Sequence, residues 1–170
     1  MQERIFELLE NTDLNWEVSK EPLFAGDGTP TSSYGVFKKT DRTHLGTIGE
    51  RYEIYQNWQM AEALLTASNE VGVNFDRGGQ LKNGRRVFLQ AQLPNQYIGR
   101  SDVRRYITAL NSHDGSSSIA FGSTNVVVIC ENTFHKAHRE LNKFRHTSSA
   151  PERISKMAQD LNSVILQDEI

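Results

Sequence analysis

The sequence predicts an α+β fold: an antiparallel sheet of about five or six strands, with helices packed on or beside it. Short segments of strand character, separated by turn residues, recur between residues 34 and 130. Three longer segments, at 57–71, 131–144 and 151–168, repeat apolar residues at helical spacing. A chain of 170 residues is long enough to bury one proper core, so we expect a single domain over 1–170.

The first third of the chain alternates between helix, strand and loop. Residues Gly46 and Gly49 lie in or beside one of its strands, which indicates a bulge or a close backbone approach. The predicted elements are a helix over 2–10, a brief strand over 15–18, a loop over 20–33, strands over 34–39 and 47–55 joined by a turn at 41–43, and the helix over 57–71.

A hairpin is predicted at residues 82–85, because Asn83-Gly84 is the strongest short hairpin signal. In the strand that follows, Val87, Leu89, Ala91 and Leu93 point one way and form a core face. The other face carries Arg86, Phe88, Gln90 and Gln92. That combination suits a base stacked beside its phosphate, and it equally suits a sheet face covered by a helix.

Residues 104–146 hold four of the five histidines and six of the nineteen lysines and arginines. We predict a strand over 104–110, a polar corner from His113 to Ser118, and a buried strand over 124–130. Asn132-Thr133 then caps the helix over 131–144, and Pro151 begins the last helix. The corner can cradle a phosphate with its backbone amides, or it is a plain polar turn.

Charge is unevenly distributed along the chain. The net charge of −2, taken alone, argues against a nucleic-acid binder. Residues 1–76, however, carry 6 basic and 13 acidic side chains, whereas residues 77–146 carry 11 basic and 4 acidic ones. If the basic segment forms one surface, it creates a local field that attracts polyanions. If the segments intermix in space, the fields cancel.

The candidate nucleic-acid-binding residues come from this basic segment. Phosphate contacts require several cations along one track, and aromatic rings supply base stacking. Phe88 and Tyr97 are the stacking candidates, and His113 and Ser116 belong to the corner that would position the nucleic-acid backbone. The candidate phosphate ligands are Arg85, Arg86, Arg104, Arg105, Lys136, Arg139, Lys143 and Arg145.

No pattern in the sequence indicates a cofactor or a resident metal. His113-Asp114 lacks the further ligands of a metal phosphohydrolase, and Cys130, His135 and His138 lack an obvious fourth zinc ligand. There is no P-loop or dinucleotide fingerprint. A single cysteine, an acidic amphipathic N-terminus and the absence of a long apolar run lead us to expect a reduced, cytoplasmic protein with no membrane association.

Five ordered motifs resemble a known family. Residues 45–57 (LGTIGERYEIYQN), 84–88 (GRRVF), 110–116 (LNSHDGS), 130–133 (CENT) and 145–147 (RHT) occur in the order seen in phage/plasmid-like proteins of domain-of-unknown-function 932. The resemblance covers about residues 34–150, followed by a C-terminal helix over 151–170. The chain differs from the family's pattern at Asn83 and at Val127. It implies a phage, plasmid or other mobile-element setting.

From the basic segment and the implied setting we expect a non-enzymatic protein that binds single-stranded DNA, with a role in annealing during recombination or replication, assembled as a homo-oligomer. The main alternative is a protein-interaction module of mobile elements, an anti-defence or replication modulator with a host or phage protein as partner. The acidic segment 1–76 would be its interaction surface. A metal-dependent nuclease is the lesser alternative.

Overall fold

The computed structural model describes residues 1–71, 74–94 and 104–168, in which the chain forms four helices and eight strands. The predicted α+β class is confirmed. None of these four helices combines the length and the apolarity needed to cross a bilayer. The elements are α1 (Gln2–Asn11), β1 (Val18–Phe24), β2 (Pro30–Lys38), β3 (His44–Ile48), α2 (Asn57–Ala67), β4 (Asn74–Leu81), β5 (Arg86–Gln92), β6 (Tyr106–Ser112), β7 (Ile119–Thr124), α3 (Glu131–Glu140), β8 (Asn142–Phe144) and α4 (Ala150–Asp168).

The strands form two antiparallel sheets, where the sequence predicted one. β1, β2 and β3 make a three-stranded sheet in that order, and β4 to β8 make a five-stranded sheet in sequence order. The smaller sheet exists because residues 20–33, predicted as a loop, supply most of β1 and the start of β2. Pro22 lies in β1, an edge strand, and Pro30 is the first residue of β2. Prolines are tolerated at both kinds of position.

The hairpin predicted at residues 82–85 joins β4 to β5. Leu81 pairs with Arg86 at its base. Lys82, Asn83 and Gly84 have φ angles of 51°, 58° and 94°, the positive values that Asn-Gly accommodates at low cost. The local signal was therefore sufficient to predict this turn.

One face of the five-stranded sheet, here called the helical face, packs against α1, α2 and α4. Val87, Leu89 and Ala91, the side chains predicted to point towards the core, are fully buried there. α1 contacts β4 and α2, α2 contacts β5 and β6, and α4 contacts β7 and α2. The three helices therefore lie side by side, from the β4 edge of the sheet to the β8 edge.

The opposite face is covered by α3 and by the extended residues 125–130. We predicted a strand over 124–130, but β7 ends at Thr124. The Gln90 amide takes the place of a strand partner: its Nε2 donates to the Val126 carbonyl at 2.8 Å, and its Oε1 accepts from the Val128 N–H at 2.9 Å. Because the buried Gln90 side chain satisfies these two backbone groups, residues 125–130 do not need to pair with a neighbouring strand.

α3 ends at Glu140, four residues before its predicted end, and the chain continues directly into β8. Leu141 has extended backbone angles, φ −96° and ψ 162°, and Phe144 pairs with Ile119 of β7. Leu141 and Phe144 are buried on opposite faces of the sheet. An extended chain places residues on both faces in this way, whereas a helix would keep residues three apart on one side.

Three other boundaries differ from the prediction. The first is the C-terminal end of α2, where the Ser68 hydroxyl donates to the Leu64 carbonyl at 2.8 Å. The helix predicted over 57–71 ends at Ala67. The strand predicted over 47–55 corresponds to β3, which ends at Ile48. The strand predicted over 104–110 corresponds to β6, which begins at Tyr106.

Candidate nucleic-acid interface

The polar corner between β6 and β7 satisfies most of its own hydrogen bonds. Asp114 Oδ1 accepts from the Ser116 N–H at 3.0 Å and from the Ser116 hydroxyl at 2.5 Å. The Ser112 hydroxyl accepts from the Ser117 N–H and donates to the Ser117 carbonyl. Gly115 has a φ of +78°. These contacts are those of a polar turn, and Ser116, a predicted site residue, is exposed at its tip.

His113, also a predicted site residue, is 2% exposed, so it does not face solvent. Asn57 Nδ2 donates to the carbonyls of Leu14 and Trp16, which leaves Asn57 Oδ1 to accept from His113 Nε2 at 2.8 Å. Burial lowers the pKa of His113 to about 3. The His113 ring is therefore uncharged near neutral pH, and its hydrogen bond to Asn57 lies inside the fold.

A second, partly buried pair lies beside the first. His146 Nε2 is 2.7 Å from Asn111 Oδ1, and Asn111 Nδ2 donates to the Tyr55 carbonyl at 2.8 Å. The His146 ring stacks on Tyr52 with a centroid distance of 4.4 Å. Burial lowers the pKa of His146 to about 4. Together the two pairs join three of the resembling motifs, so those motifs build the interior of the domain.

The predicted stacking face of β5 is covered. Phe88 is 8% exposed and packs in a cluster with Leu110 and Phe134 of α3. The Arg86 side chain is 9% exposed, and its Nη1 lies 2.9 Å from Glu131 Oε2. The interpretation of this face as base-stacking surface is therefore wrong for Arg86 and Phe88 in this structure, because the apolar stripe of α3 occupies it.

The remaining arginines of the sheet lie at its two ends. Arg85 is half-buried beside the hairpin, and its Nη2 donates to the His44 carbonyl at 3.3 Å. Arg104 is exposed and Arg105 half-buried before β6, where Arg105 Nε donates to the Ser123 hydroxyl at 3.1 Å. The paired lengths of β5 and β6 separate the two groups. Tyr97, the second stacking candidate, lies outside the described residues.

The four basic residues predicted after β7 lie close together along α3 and β8. Lys136, Arg139, Lys143 and Arg145 are all exposed. Lys143 Nζ donates to the carbonyls of Arg139 and Leu141, at 3.3 and 3.2 Å. An ammonium group at this position stabilises the negative end of the α3 dipole.

A groove of about 530 Å³ runs between β8 and α4. We call it the β8–α4 groove. Arg153 and Lys156 of α4 lie on one side and Lys143 of β8 on the other, and the Arg153 guanidinium lies 5.5 Å from the Phe144 ring centroid. Its full lining is Asn142, Lys143, Phe144, Arg153, Lys156, Met157 and Asp160.

Arg153 and Lys156 were not among the predicted site residues. A signal for them exists in the sequence: 153, 156, 157 and 160 are spaced to share one side of a helix.

Arg105 contacts β7, the strand that pairs with β8 beside this groove. It bonds to Ser123, the neighbour of Gly122, and a Cβ placed on Gly122 would lie 3.6 Å from Met157 Cε and 3.8 Å from Asn142 Nδ2. Met157 and Asn142 both line the groove. Arg105 is thus bonded to β7, the strand beside β8, whereas Lys143 lies on β8 itself, at the edge of the sheet.

The cations of the groove are not neutralised by ion pairs. In the described ranges, nitrogen–oxygen pairs within 4.0 Å join Lys39 to Glu17, Arg42 to Glu21, and both Arg86 and His135 to Glu131. None of these involves Lys143, Arg153 or Lys156, and Asp160 is the single carboxylate in the lining. The groove therefore presents local positive charge on a chain whose net charge is −2.

Across the residues that the structure describes, no group of three or more His, Cys, Asp or Glu side chains is placed to hold a metal ion. The three residues considered for zinc do not converge: Cys130 contacts Thr133, His135 contacts Glu131, and His138 contacts Ser118.

Comparison with known proteins gives one match. No curated protein and no solved structure matches the chain. The family model described as "Domain of unknown function (DUF932)" matches residues 44–168, which span β3 to the end of α4 and include every residue that lines the β8–α4 groove. The chain belongs to this DUF932 family.

Proposed function

We propose that this protein binds single-stranded DNA, without chemistry, in the β8–α4 groove. The observation that carries the proposal is the set of cations Lys143, Arg153 and Lys156 around one groove, none of which forms an ion pair within the part of the chain that the structure describes. Proteins that bind single strands combine such a positively charged groove with flat groups against which bases stack.

The lining suits a single strand in two ways. The Arg153 guanidinium carbon lies 5.5 Å from the centroid of the buried Phe144 ring, and an exposed guanidinium plane can stack against a base. The groove of about 530 Å³ is also in the size range of small-molecule pockets, so it has room for one or a few nucleotides. Unpaired bases can enter it.

The setting is part of the proposal. A phage, plasmid or integrated element needs proteins that hold or anneal single strands during recombination or replication, and that work takes place in the cytoplasm. The exposed, unpaired Cys130 is compatible with a reducing compartment.

The test is fluorescence anisotropy with a labelled oligothymidylate of about 20 nucleotides and a duplex of equal length, at about 50 and about 200 mM salt. We expect preference for the single strand and affinity that falls steeply with salt. The double variant Arg153→Gln/Lys156→Gln should bind more weakly and reduce the salt slope by about 1.4, since each single-strand contact contributes about 0.7.

A matched control removes two exposed charges away from the groove, Lys39→Gln/Arg51→Gln. It should change affinity much less than the groove variant does. Equal loss in both variants would point to nonspecific attraction by overall charge. Absence of binding at the lower salt concentration would reject the proposal.

A further inference from the structure

α1 presents an acidic stripe with an apolar centre to solvent. Its inner side buries Ile5, Leu8 and Leu9 in the core. Its outer side exposes Glu3, Phe6, Glu7 and Glu10, which are spaced i, i+3, i+4, i+7 along one side of the helix. Phe6 is 58% exposed and lies among the three carboxylates. We call this set the α1 stripe.

The β8–α4 groove has a related spacing with mostly the opposite charge. On α4, Arg153, Lys156 and Met157 stand at i, i+3 and i+4, Asp160 follows at i+7, and Lys143 faces them from β8. Each surface thus has one exposed or partly exposed apolar side chain, Phe6 or Met157. The α1 stripe surrounds it with three carboxylates, and the groove surrounds it with three cations and one carboxylate. Opposite charges arranged around matched apolar centres steer association and fix its register.

The α1 stripe of one molecule cannot reach that molecule's own groove. α1 contacts β4, the first strand of the five-stranded sheet, whereas the groove lies along β8, the last. Four inter-strand spacings of ~4.8 Å separate these edges by roughly 19 Å, and α2 lies between α1 and α4. An α1 helix in the groove must therefore belong to another copy.

We propose that the α1 stripe of a second copy docks in the β8–α4 groove and forms a head-to-tail assembly. The incoming α1 would lie beside α4, so that the layer α1, α2, α4 of one copy continues into the same layer of the next. Such a contact uses two different surfaces, and repeated copies form a ring if the rotation closes and an open chain if it does not.

The same groove then has two competing anionic occupants. This step rests on the proposed function, because a single DNA strand and the α1 stripe would use the same cations. DNA should release copies from the assembly, and assembly should lower the apparent affinity for DNA. The docking itself can be tested without nucleic acid.

The experiment is a charge swap read by light-scattering mass on the full chain. Glu3→Lys/Glu7→Lys makes the α1 stripe basic, and Arg153→Glu/Lys156→Glu makes the groove acidic. Wild-type protein should form assemblies whose mass rises with concentration and falls with salt. Each variant alone should be monomeric. An equal mixture should regain the assembled mass, because every α1 stripe then meets a groove of opposite charge.

Glu50→Lys/Glu53→Lys is the matched control, with the same charge change at exposed residues outside both surfaces. It should assemble like the wild type, and melting curves should show that all variants fold. A monomeric wild type at every concentration, or a mixture that stays monomeric, would overturn the docking proposal. Neither result changes what the anisotropy measurement says about DNA binding. If the protein assembles but does not bind DNA, only the competition between DNA and the α1 stripe is rejected.

Discussion

His113 Nε2 and Asn57 Oδ1 lie 2.8 Å apart in the interior, and this hydrogen bond ties the end of β6 to the first residue of α2. Asn57 also holds the carbonyls of Leu14 and Trp16. One buried amide–imidazole pair thus connects the five-stranded sheet, the helical layer and the segment that leads into β1. The integrity of this junction depends on a neutral histidine.

Stability should therefore fall when the pH is lowered below about 6.5. Burial lowers the pKa of His113 to about 3 and that of His146 to about 4, from an ordinary value of 6.5. Between these values the unfolded chain binds more protons than the folded one, so the free energy of unfolding rises with pH across this window. Each histidine contributes at most ~1.4 kcal/mol per pH unit.

The measurement is a series of urea unfolding curves between about pH 7 and about pH 4.5, in which the slope against pH is compared among variants. His113→Gln and His146→Gln should each flatten the slope, whereas His44→Gln, at an exposed position, should leave it unchanged. Identical slopes in all four proteins would mean that the buried histidines titrate as they do in the unfolded chain.

Glu131→Gln should destabilise the domain by ~1–3 kcal/mol. The Arg86 guanidinium is buried under α3, and Glu131 is its carboxylate partner. Loss of one partner of a fully buried pair costs about 3–5 kcal/mol, and partial exposure of Glu131 reduces that figure. Thermal or urea melts measure the effect.

Glu140→Gln is the control on the same helix, where the exposed side chain accepts one hydrogen bond from Thr124. A second substitution, Arg86→Met, should restore much of the stability lost in Glu131→Gln, because it removes the unpaired charge. If Glu131→Gln and Glu140→Gln are equally mild, the Arg86 pair is not a stabilising contact.

Much of the fold could be predicted because its signals are local. Asn83-Gly84 predicts the hairpin, and the apolar stripe with Pro151 predicts α4. The division into two sheets could not be predicted, because the Gly, Pro, Thr and Ser residues of 20–33 favour a loop, and only the tertiary structure shows that Pro22 stands in an edge strand. β8 was missed because its alternation, from Leu141 to Phe144, covers too few residues to be distinguished from the end of a helix.

The candidate site was also predicted only in part, because some of its features follow from local sequence patterns and others from tertiary packing. The exposure of Lys136 and Arg139 followed from the helical pattern of α3, whereas Lys143 and Arg145 lie in and after β8, which that pattern did not predict. The burial of Phe88 depends on where α3 packs, which no local pattern specifies. Arg153 and Lys156 meet Lys143 only after β8 joins the edge of the sheet, so their grouping is a tertiary property.

Gln90→Ala should cost several kcal/mol, because it removes the amide that holds the segment after β7. Gln90 is fully buried and bonds to Thr108 and to the backbone of Val126 and Val128. Two backbone groups would lose their partner, at about 1–3 kcal/mol each. Hydrogen exchange at the Val128 amide should accelerate. Gln92→Ala, at a half-buried site two residues on, should have a small effect, and equal exchange in both variants would contradict this role of Gln90.

Gly46→Ala should displace the corner between β6 and β7. A Cβ on Gly46 would collide with the Asp114 Cα and lie 2.8 Å from the Asp114 carbonyl oxygen, and backbone atoms cannot yield as a flexible side-chain end can. The close approach inferred from the Leu45-Gly46 motif is therefore to the corner itself. We expect a loss of ~2 kcal/mol or more, by the strain that overpacked sites show.

Gly49→Ala is the matched control for this substitution. Nothing lies within 4 Å of a Cβ at that position, so the same change in side chain meets open space. Its effect on the urea midpoint should stay within about 0.5 kcal/mol. Faster hydrogen exchange at the Ser116 and Ser117 amides, in Gly46→Ala alone, would locate the damage at the corner, since those amides bond to Asp114 and Ser112. Two variants of equal stability would show that the backbone contact between Gly46 and Asp114 is not tight enough to exclude a methyl group.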